Sequence, residues 1–244
     1  MCEKVTTQTD LFLPGSPSER PYILLDGESR RLSASAELND LVAHFPESDI
    51  LWFPQHLTSE AHTNKRACIR GLRYVVLDLD FPLTVGEYTV DALLDRNSAL
   101  RLPPPSAIVS TGGGFHIYWS IGALHLGRYP TDTSIDRTEN RREFFLALYE
   151  SVTRGLCAAF AEFGADTQAA PATQLFRLPG SYNRKHHVET FVEYEAPYAY
   201  TTLKDLKGAL DRAATIHGFD VPDPKAIKEQ HYSCAPRCLS LIHI

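Results

Sequence analysis

The sequence lacks any long apolar run. Its longest one is far shorter than the roughly 18 residues that a membrane span requires, which excludes a transmembrane protein. No basic segment followed by an apolar stretch opens the chain, so we expect no secretory signal. Of the 244 residues, 43% are hydrophobic and 22% are charged, and we find no internal repeat. This composition excludes disordered, collagen-like and coiled-coil proteins and predicts one large globular domain or two small lobes.

The sequence also lacks a regular set of cysteines and a net positive charge. The five cysteines form an odd, scattered set: Cys2, Cys68, Cys157, Cys234 and Cys238. Such a set suits a reducing compartment, so we expect a cytoplasmic protein without a disulfide framework. Lys and Arg number 24 against 30 Asp and Glu, a net charge of −6. This balance argues against a protein that coats nucleic acid non-specifically.

Apolar periodicity predicts helices and strands without strict alternation, which favours an α+β fold. Helices are expected over residues 37–42, 89–100, 138–163 and 203–216. Strands are expected over residues 50–53, 72–79, 107–109, 115–119, 175–178 and 188–194. We expect residues 1–34 to be an N-terminal extension, 35–217 the main domain and 218–244 a tail. The tail resembles the end of an unfinished reading frame, so we expect its last residues not to be native.

Two acids end the predicted strand over residues 72–79. Side chains alternate along a strand, so Asp78 and Asp80 project from the same face. Two carboxylates at the end of an apolar strand are costly unless a cation is near. Carboxylate oxygens suit Mg²⁺ or Mn²⁺, and two such ions promote in-line phosphoryl transfer. Taken alone, the pair is equally well explained by a strand that emerges into solvent.

A glycine turn joins the next two predicted strands, with the sequence Ser110-Thr111-Gly112-Gly113-Gly114-Phe115-His116. Three glycines allow the backbone to approach a ligand closely and its amides to form an anion-binding concavity. His116 follows the turn and is placed to face whatever the turn holds. A simple hairpin with a half-buried histidine is the alternative interpretation.

A basic stretch follows Asp166 and begins with Arg177-Leu178-Pro179-Gly180. Residues 177–187 contain two Arg, one Lys and two His but no acid. A rigid Pro-Gly turn flanked by cations can present charge to phosphates, with Asn183 available for bases or sugars. A second basic segment contains Lys65, Arg66, Arg70 and Arg73. The alternative interpretation of residues 177–187 is a solvated basic loop.

In this order, the motifs resemble the catalytic domain of the archaeo-eukaryotic primase, or primase-polymerase, superfamily, particularly its plasmid and phage RepB-like branch. The resemblance covers about residues 35–200 and rests on Asp78 with Asp80, Ser110 with His116, the lone acid Asp166, and the Arg-Leu-Pro-Gly stretch followed by Asn183 and Lys185. The gap between Ser110 and His116 is lengthened by glycines relative to the family pattern.

The resemblance implies a primase fold of two interleaved α/β lobes, one of them an RRM-like sheet. It implies template-directed nucleotidyl transfer by a DNA primase or polymerase in plasmid or phage replication, with single-stranded DNA, nucleoside triphosphates and a helicase as partners. Asp78, Asp80 and Asp166 would hold two Mg²⁺ or Mn²⁺ ions. The triphosphate would be bound by Ser110, Gly112, Gly113, Gly114, His116, Arg177 and Lys185. The DNA would be bound by Lys65, Arg66, Asn183 and Arg184.

Several alternatives stay open. Asp132 or Asp136 can replace Asp166 as the third acid, although Asp166 has the better spacing to the basic stretch. Two other functions are also open. The same acids would serve a metal-dependent phosphodiesterase or nuclease, and the chain could instead be a catalytically silent DNA-binding replication initiator. The spacing of His231, Cys234, Cys238 and His243 would allow a zinc site, but this segment includes the tail that we expect not to be native.

Overall fold

The computed structural model describes residues 22–32, 37–57, 65–80, 89–126, 135–196 and 199–234. The strands are β1 (Tyr22–Leu25), β2 (Glu28–Arg31), β3 (Ile50–Trp52), β4 (His56–Leu57), β5 (Ile69–Asp80), β6 (Ala107–Ser110), β7 (Gly114–His125), β8 (Phe176–Arg177), β9 (Tyr182–Asn183), β10 (Val188–Glu189) and β11 (Phe191–Glu195). The helices are α1 (Glu37–His44), α2 (Val90–Ala99), α3 (Ile135–Ala159), α4 (Leu203–His217) and α5 (Pro224–Cys234). The α+β class expected from the sequence is therefore confirmed.

A five-stranded antiparallel sheet forms the centre of the fold, in the order β11-β6-β7-β5-β4. Its two long strands, β5 and β7, pair along most of their length. One face of this sheet packs against α3 and α4 in a large apolar core, to which β5 contributes Val75, Leu77 and Leu79. Because side chains alternate along a strand, the intervening residues of β5 face the other way.

The other face of the central sheet packs on a smaller sheet with the order β2-β1-β3-β8. An aromatic cluster fills this second core: Trp52 lies 6.1 Å from Tyr74 and 6.3 Å from Tyr118, measured between ring centroids. Phe176 of β8 lies 6.5 Å from Tyr118 in an edge contact. Asp78 and Asp80 continue the same face of β5 beyond Tyr74, so the acids lie at the edge of this second core.

Most predicted elements are confirmed, including the glycine-turn hairpin of β6 and β7. Thr89 caps α2, and Gly218 ends α4 in the left-handed conformation that a C-terminal cap requires. The single strand expected over residues 188–194 is wrong, because Thr190 divides it into β10 and β11. The buried Thr190 hydroxyl donates to the carbonyls of Leu178 (2.8 Å) and Ser181 (3.0 Å), so this residue serves the adjoining turn.

Segments at both ends of the described chain pack into the fold. Residues 22–32, part of the expected N-terminal extension, form a hairpin whose strand β1 pairs with β3. Helix α5, in the expected tail, contacts α3 and buries Ile227. Cys238 and His243 of the considered zinc site lie outside the described residues. In the part of the chain that is described, no helix combines the length and apolar character needed to cross a membrane.

Candidate active site

Backbone pairing brings a third acid to the end of β5, beside Asp78 and Asp80. The backbone after α3 pairs with this end: Asp80 N donates to Gly164 O and Asp166 N donates to Asp78 O, each at 2.9 Å. An antiparallel bridge between Leu79 and Ala165 lies between these two bonds. Residues opposite each other in an antiparallel pair project to the same side, so this register places Asp166 beside Asp78. The two alternatives to Asp166 cannot be placed in the same way: Asp132 lies outside the described residues, and the side chain of Asp136 is not described.

His116 lies on the opposite flank of Asp78. The two residues are cross-strand partners in β7 and β5, and His116 Nε2 lies 3.3 Å from Asp78 Oδ1. The imidazole is buried against the Phe176 ring, 5.3 Å away between centroids, and its Nδ1 has no hydrogen-bond partner among the described residues. Asp166, Asp78 and His116 therefore form one row across three neighbouring segments. His116 faces the acids rather than the glycine turn.

The two acids of β5 have pKa values shifted in opposite directions. Burial acts to raise the pKa of Asp78, but the charge and hydrogen bond of His116, together with the charge of Arg177, lower it overall. The pKa of Asp80 is raised by partial burial and by the negative charges of Asp78 and Asp166, which outweigh Lys185 and His116. The end of β5 thus concentrates negative charge that a cation would relieve.

The donor set suits a hard divalent cation, because the side chains of Asp78, Asp80 and Asp166 offer carboxylate oxygens. Within the described ranges, no three His, Cys, Asp or Glu side chains are already arranged to enclose a metal. Mg²⁺ does not need such a cage, since it keeps several waters and is commonly held by one or two carboxylates plus substrate phosphates. The residues therefore fit a site that a phosphate-bearing substrate completes.

The glycine turn lies against the acids. Thr111 N donates to Gly114 O at 3.0 Å, and Gly114 is the cross-strand partner of Asp80. A Cβ atom on Gly114 would overlap the carbonyl oxygen of Leu79, so glycine permits this close approach. Ser110 is opposite Phe115, and its side chain consequently lies on the other face of the sheet from His116. The motif implied that Ser110 and His116 act together, whereas the register of β6 and β7 places them on opposite faces of the sheet.

Asn183, predicted to contact DNA, is instead buried in the fold. Its Nδ2 donates to Thr111 O at 2.6 Å, and its Oδ1 accepts from the backbone amides of Lys185 (3.0 Å) and His186 (3.3 Å). Only 2% of the residue is exposed, so these bonds occupy its side chain. Asn183 therefore fastens the basic loop, residues 184–187, to the glycine turn.

Two of the predicted phosphate- or DNA-binding arginines form ion pairs with the smaller sheet. Arg177 Nη1 contacts Asp49 Oδ1. Arg184 Nη1 lies 3.2 Å from Asp26 Oδ1, and its Nε donates to Glu47 O at 3.0 Å. Arg177 of β8 thus contacts the residue that precedes β3, and Arg184 joins the basic loop to the turn between β1 and β2. The charge of Arg177 still acts on Asp78, as the lowered pKa of that carboxyl shows.

The two predicted DNA contacts of the first basic segment differ in environment. Arg66 Nε lies 3.0 Å from Glu143 Oε2, and its Nη1 contacts Glu150 Oε1 on α3. Glu150 is 2% exposed, so this pair belongs to the interior of the fold. Lys65 and Lys185 are exposed, with no ion-pair partner among the described residues. These two lysines are the predicted phosphate- or DNA-binding cations without an ion pair among the described residues, although the charge of Lys185 acts on Asp80.

Gly164 is a site residue whose role in bringing Asp166 to β5 the sequence did not reveal. The sequence indicates only a helix cap, and Gly164 does adopt the left-handed conformation with φ of +70°. In addition, a Cβ atom here would overlap the carbonyl oxygen of Asp80 and lie 3.1 Å from its carbonyl carbon. Glycine at this position therefore allows the chain to pair with β5 and brings Asp166 to Asp78.

The comparisons with known proteins agree with this architecture. No family model matches the sequence. A curated replication protein of Clostridium perfringens is 27% identical over 145 residues, which make up 58% of this chain and 31% of that protein. The chain thus spans about a third of the length of this relative.

Two solved structures share the fold. The AEP domain of the primase-polymerase of cyanophage S-2L aligns with a TM-score of 0.50 and 13% identity, over 78% of this chain and 88% of that one. The primase RepB′ aligns with a TM-score of 0.50 and 15% identity, over 93% of this chain and 64% of that one. The chain therefore has the archaeo-eukaryotic primase fold, as the three motifs implied.

Proposed function

We propose that the chain is the catalytic domain of a DNA primase-polymerase that performs template-directed nucleotidyl transfer in plasmid or phage replication. One observation carries the proposal: Asp166, Asp78 and His116 form a row beside Asp80 at the end of β5. These residues bear three of the family motifs, and the fold brings them together from distant parts of the sequence. The similarity to a replication protein supports the same role.

Asp78 and Asp80, with Asp166 beside them, would hold Mg²⁺ or Mn²⁺. When bound, the metal lowers the pKa of the attacking hydroxyl and neutralises charge on the phosphates. His116 keeps the Asp78 carboxylate oriented and ionised through the contact at 3.3 Å. The exposed Lys185 supplies positive charge near Asp80, where the triphosphate would lie.

The reaction needs no covalent enzyme intermediate. The 3′-hydroxyl of one nucleotide loses its proton and attacks the α-phosphate of the next, so a phosphodiester bond forms. The bond between the α-phosphorus and its bridging oxygen breaks, and pyrophosphate leaves. The protein contributes alignment and charge neutralisation, which account for most catalysis in phosphoryl transfer. Lys65 is available to contact phosphates of the single-stranded template.

A nucleotide-incorporation assay on single-stranded DNA with Mg²⁺ or Mn²⁺ tests the proposal. We expect incorporation by the unaltered protein and its loss in Asp78→Ala. Asp95→Ala is the matched control, because Asp95 is an exposed acid on α2 outside the site. Incorporation that persists in folded Asp78→Ala would contradict the metal assignment. Cleavage of DNA without triphosphate would favour a nuclease, and inactivity in both assays would favour the silent initiator.

A further inference from the structure

The imidazole of His186 occupies the space beside Gly113 in the glycine turn. A Cβ atom on Gly113 would overlap His186 Nε2 and would lie 2.8 Å from Cδ2 and 3.0 Å from Cε1. All three nearest atoms belong to this imidazole, so a side chain at position 113 would have to displace the ring. Gly113 precedes Gly114, the cross-strand partner of Asp80. The His186 ring consequently lies on the turn, one residue from the acidic end of β5.

A buried anchor fixes the position of His186. The backbone amide of His186 donates to Asn183 Oδ1 at 3.3 Å, while Asn183 Nδ2 donates to Thr111 O in the glycine turn at 2.6 Å. The loop and the turn are thus joined by a side chain that is only 2% exposed. The His186 ring itself is half-buried, and no hydrogen bond to it occurs within the described residues.

We propose that His186 is a phosphate-binding residue of the nucleotide site, and that its imidazole donates a hydrogen bond to the triphosphate held between the glycine turn and Asp80. This inference rests on the proposed function. Imidazole N–H groups and backbone amides donate hydrogen bonds to phosphate oxygens. Lys185, the preceding residue, adds positive charge at the same place. His186 therefore takes the position on the turn that the motif alone assigned to His116.

Two different substitutions test this proposal, because one removes the His186 ring and the other only displaces it. His186→Ala removes the imidazole, whereas Gly113→Ala pushes it from the turn and leaves it in the protein. We expect each variant to bind a non-hydrolysable nucleoside triphosphate about tenfold more weakly in titration calorimetry with Mg²⁺. The double variant should bind no more weakly than His186→Ala, since the displaced ring is then already absent.

His187→Asn is the matched control, because His187 is exposed with φ of +57°, a conformation that Asn tolerates. We expect it to bind the triphosphate as the unaltered protein does. Thermal melting without nucleotide verifies that each variant is folded.

Binding of a labelled single-stranded oligonucleotide separates the two sources of phosphate. We expect His186→Ala to leave this affinity unchanged. A loss confined to the oligonucleotide, or no loss in either titration, would overturn the assignment of His186 while leaving the proposed function intact. Failure of the unaltered protein to bind any triphosphate would overturn both.

Discussion

Gly164→Ala should lower the free energy of unfolding by about 3 kcal/mol. Alanine in the left-handed conformation that Gly164 adopts costs about 1–2 kcal/mol. The new Cβ atom also overlaps the Asp80 carbonyl oxygen, so the chain must move away from β5. This movement strains the hydrogen bonds of Asp80 N to Gly164 O and of Asp166 N to Asp78 O, each worth about 1 kcal/mol.

Gly218→Ala is a closely matched control for this substitution. Gly218 also ends a helix, with φ of +75°, but no atom lies within 4 Å of its Cβ position. We therefore expect only the backbone cost of about 1–2 kcal/mol. Urea denaturation at neutral pH measures both variants. Equal losses would refute the close pairing of Gly164 with Asp80, on which the placement of Asp166 depends. Mn²⁺ affinity should fall in Gly164→Ala but not in Gly218→Ala.

The site and its flanks allow further predictions. Asp80→Asn should raise the urea midpoint of the metal-free protein at pH 7 while weakening Mn²⁺ binding, because burial and then the neighbouring acids raise the pKa of Asp80, so its ionised form opposes folding. Because the pKa of Asp80 is raised in the folded state, this destabilisation appears as the pH rises above about 4. The urea midpoints of the two proteins should therefore converge at lower pH, and a difference that persists there would contradict ionisation of Asp80 as the cause. Lys65→Ala should reduce the salt dependence of single-stranded DNA binding, by about 0.7 in the log–log slope. Arg66→Ala should leave that slope unchanged but cost about 2 kcal/mol of stability in urea denaturation, since its partners Glu143 and Glu150 are inside the fold; the reverse pattern would contradict the structural assignment of Arg66.

Local patterns in the sequence predicted much of the fold. Alternation along β5 placed Asp78 and Asp80 on one face, and helical periodicity located α1 to α4, but not α5, within a few residues. The three glycines predicted the hairpin of β6 and β7. These features depend on neighbouring residues, and the order of the motifs then indicated the primase fold.

The remaining features depend on pairing between distant segments. Nothing near Ser110 shows that the hairpin register turns it away from His116. The charge of Arg66 is visible in the sequence, but its partner Glu150 lies on a helix far along the chain. The burial of Asn183 likewise follows from contact with Thr111 in another loop. Residue type predicted what these side chains can bind, and tertiary contacts determined what they do bind.

Sequence-dependent synthesis on a defined single-stranded template tests the central claim most directly. The protein is given Mn²⁺, a homopolymer template and one labelled nucleoside triphosphate at a time. We expect products only with the complementary nucleotide, release of one pyrophosphate for each nucleotide added, and no products with Asp78→Ala. Products that ignore the template, products that persist in folded Asp78→Ala, or no incorporation under any of these conditions would contradict the account.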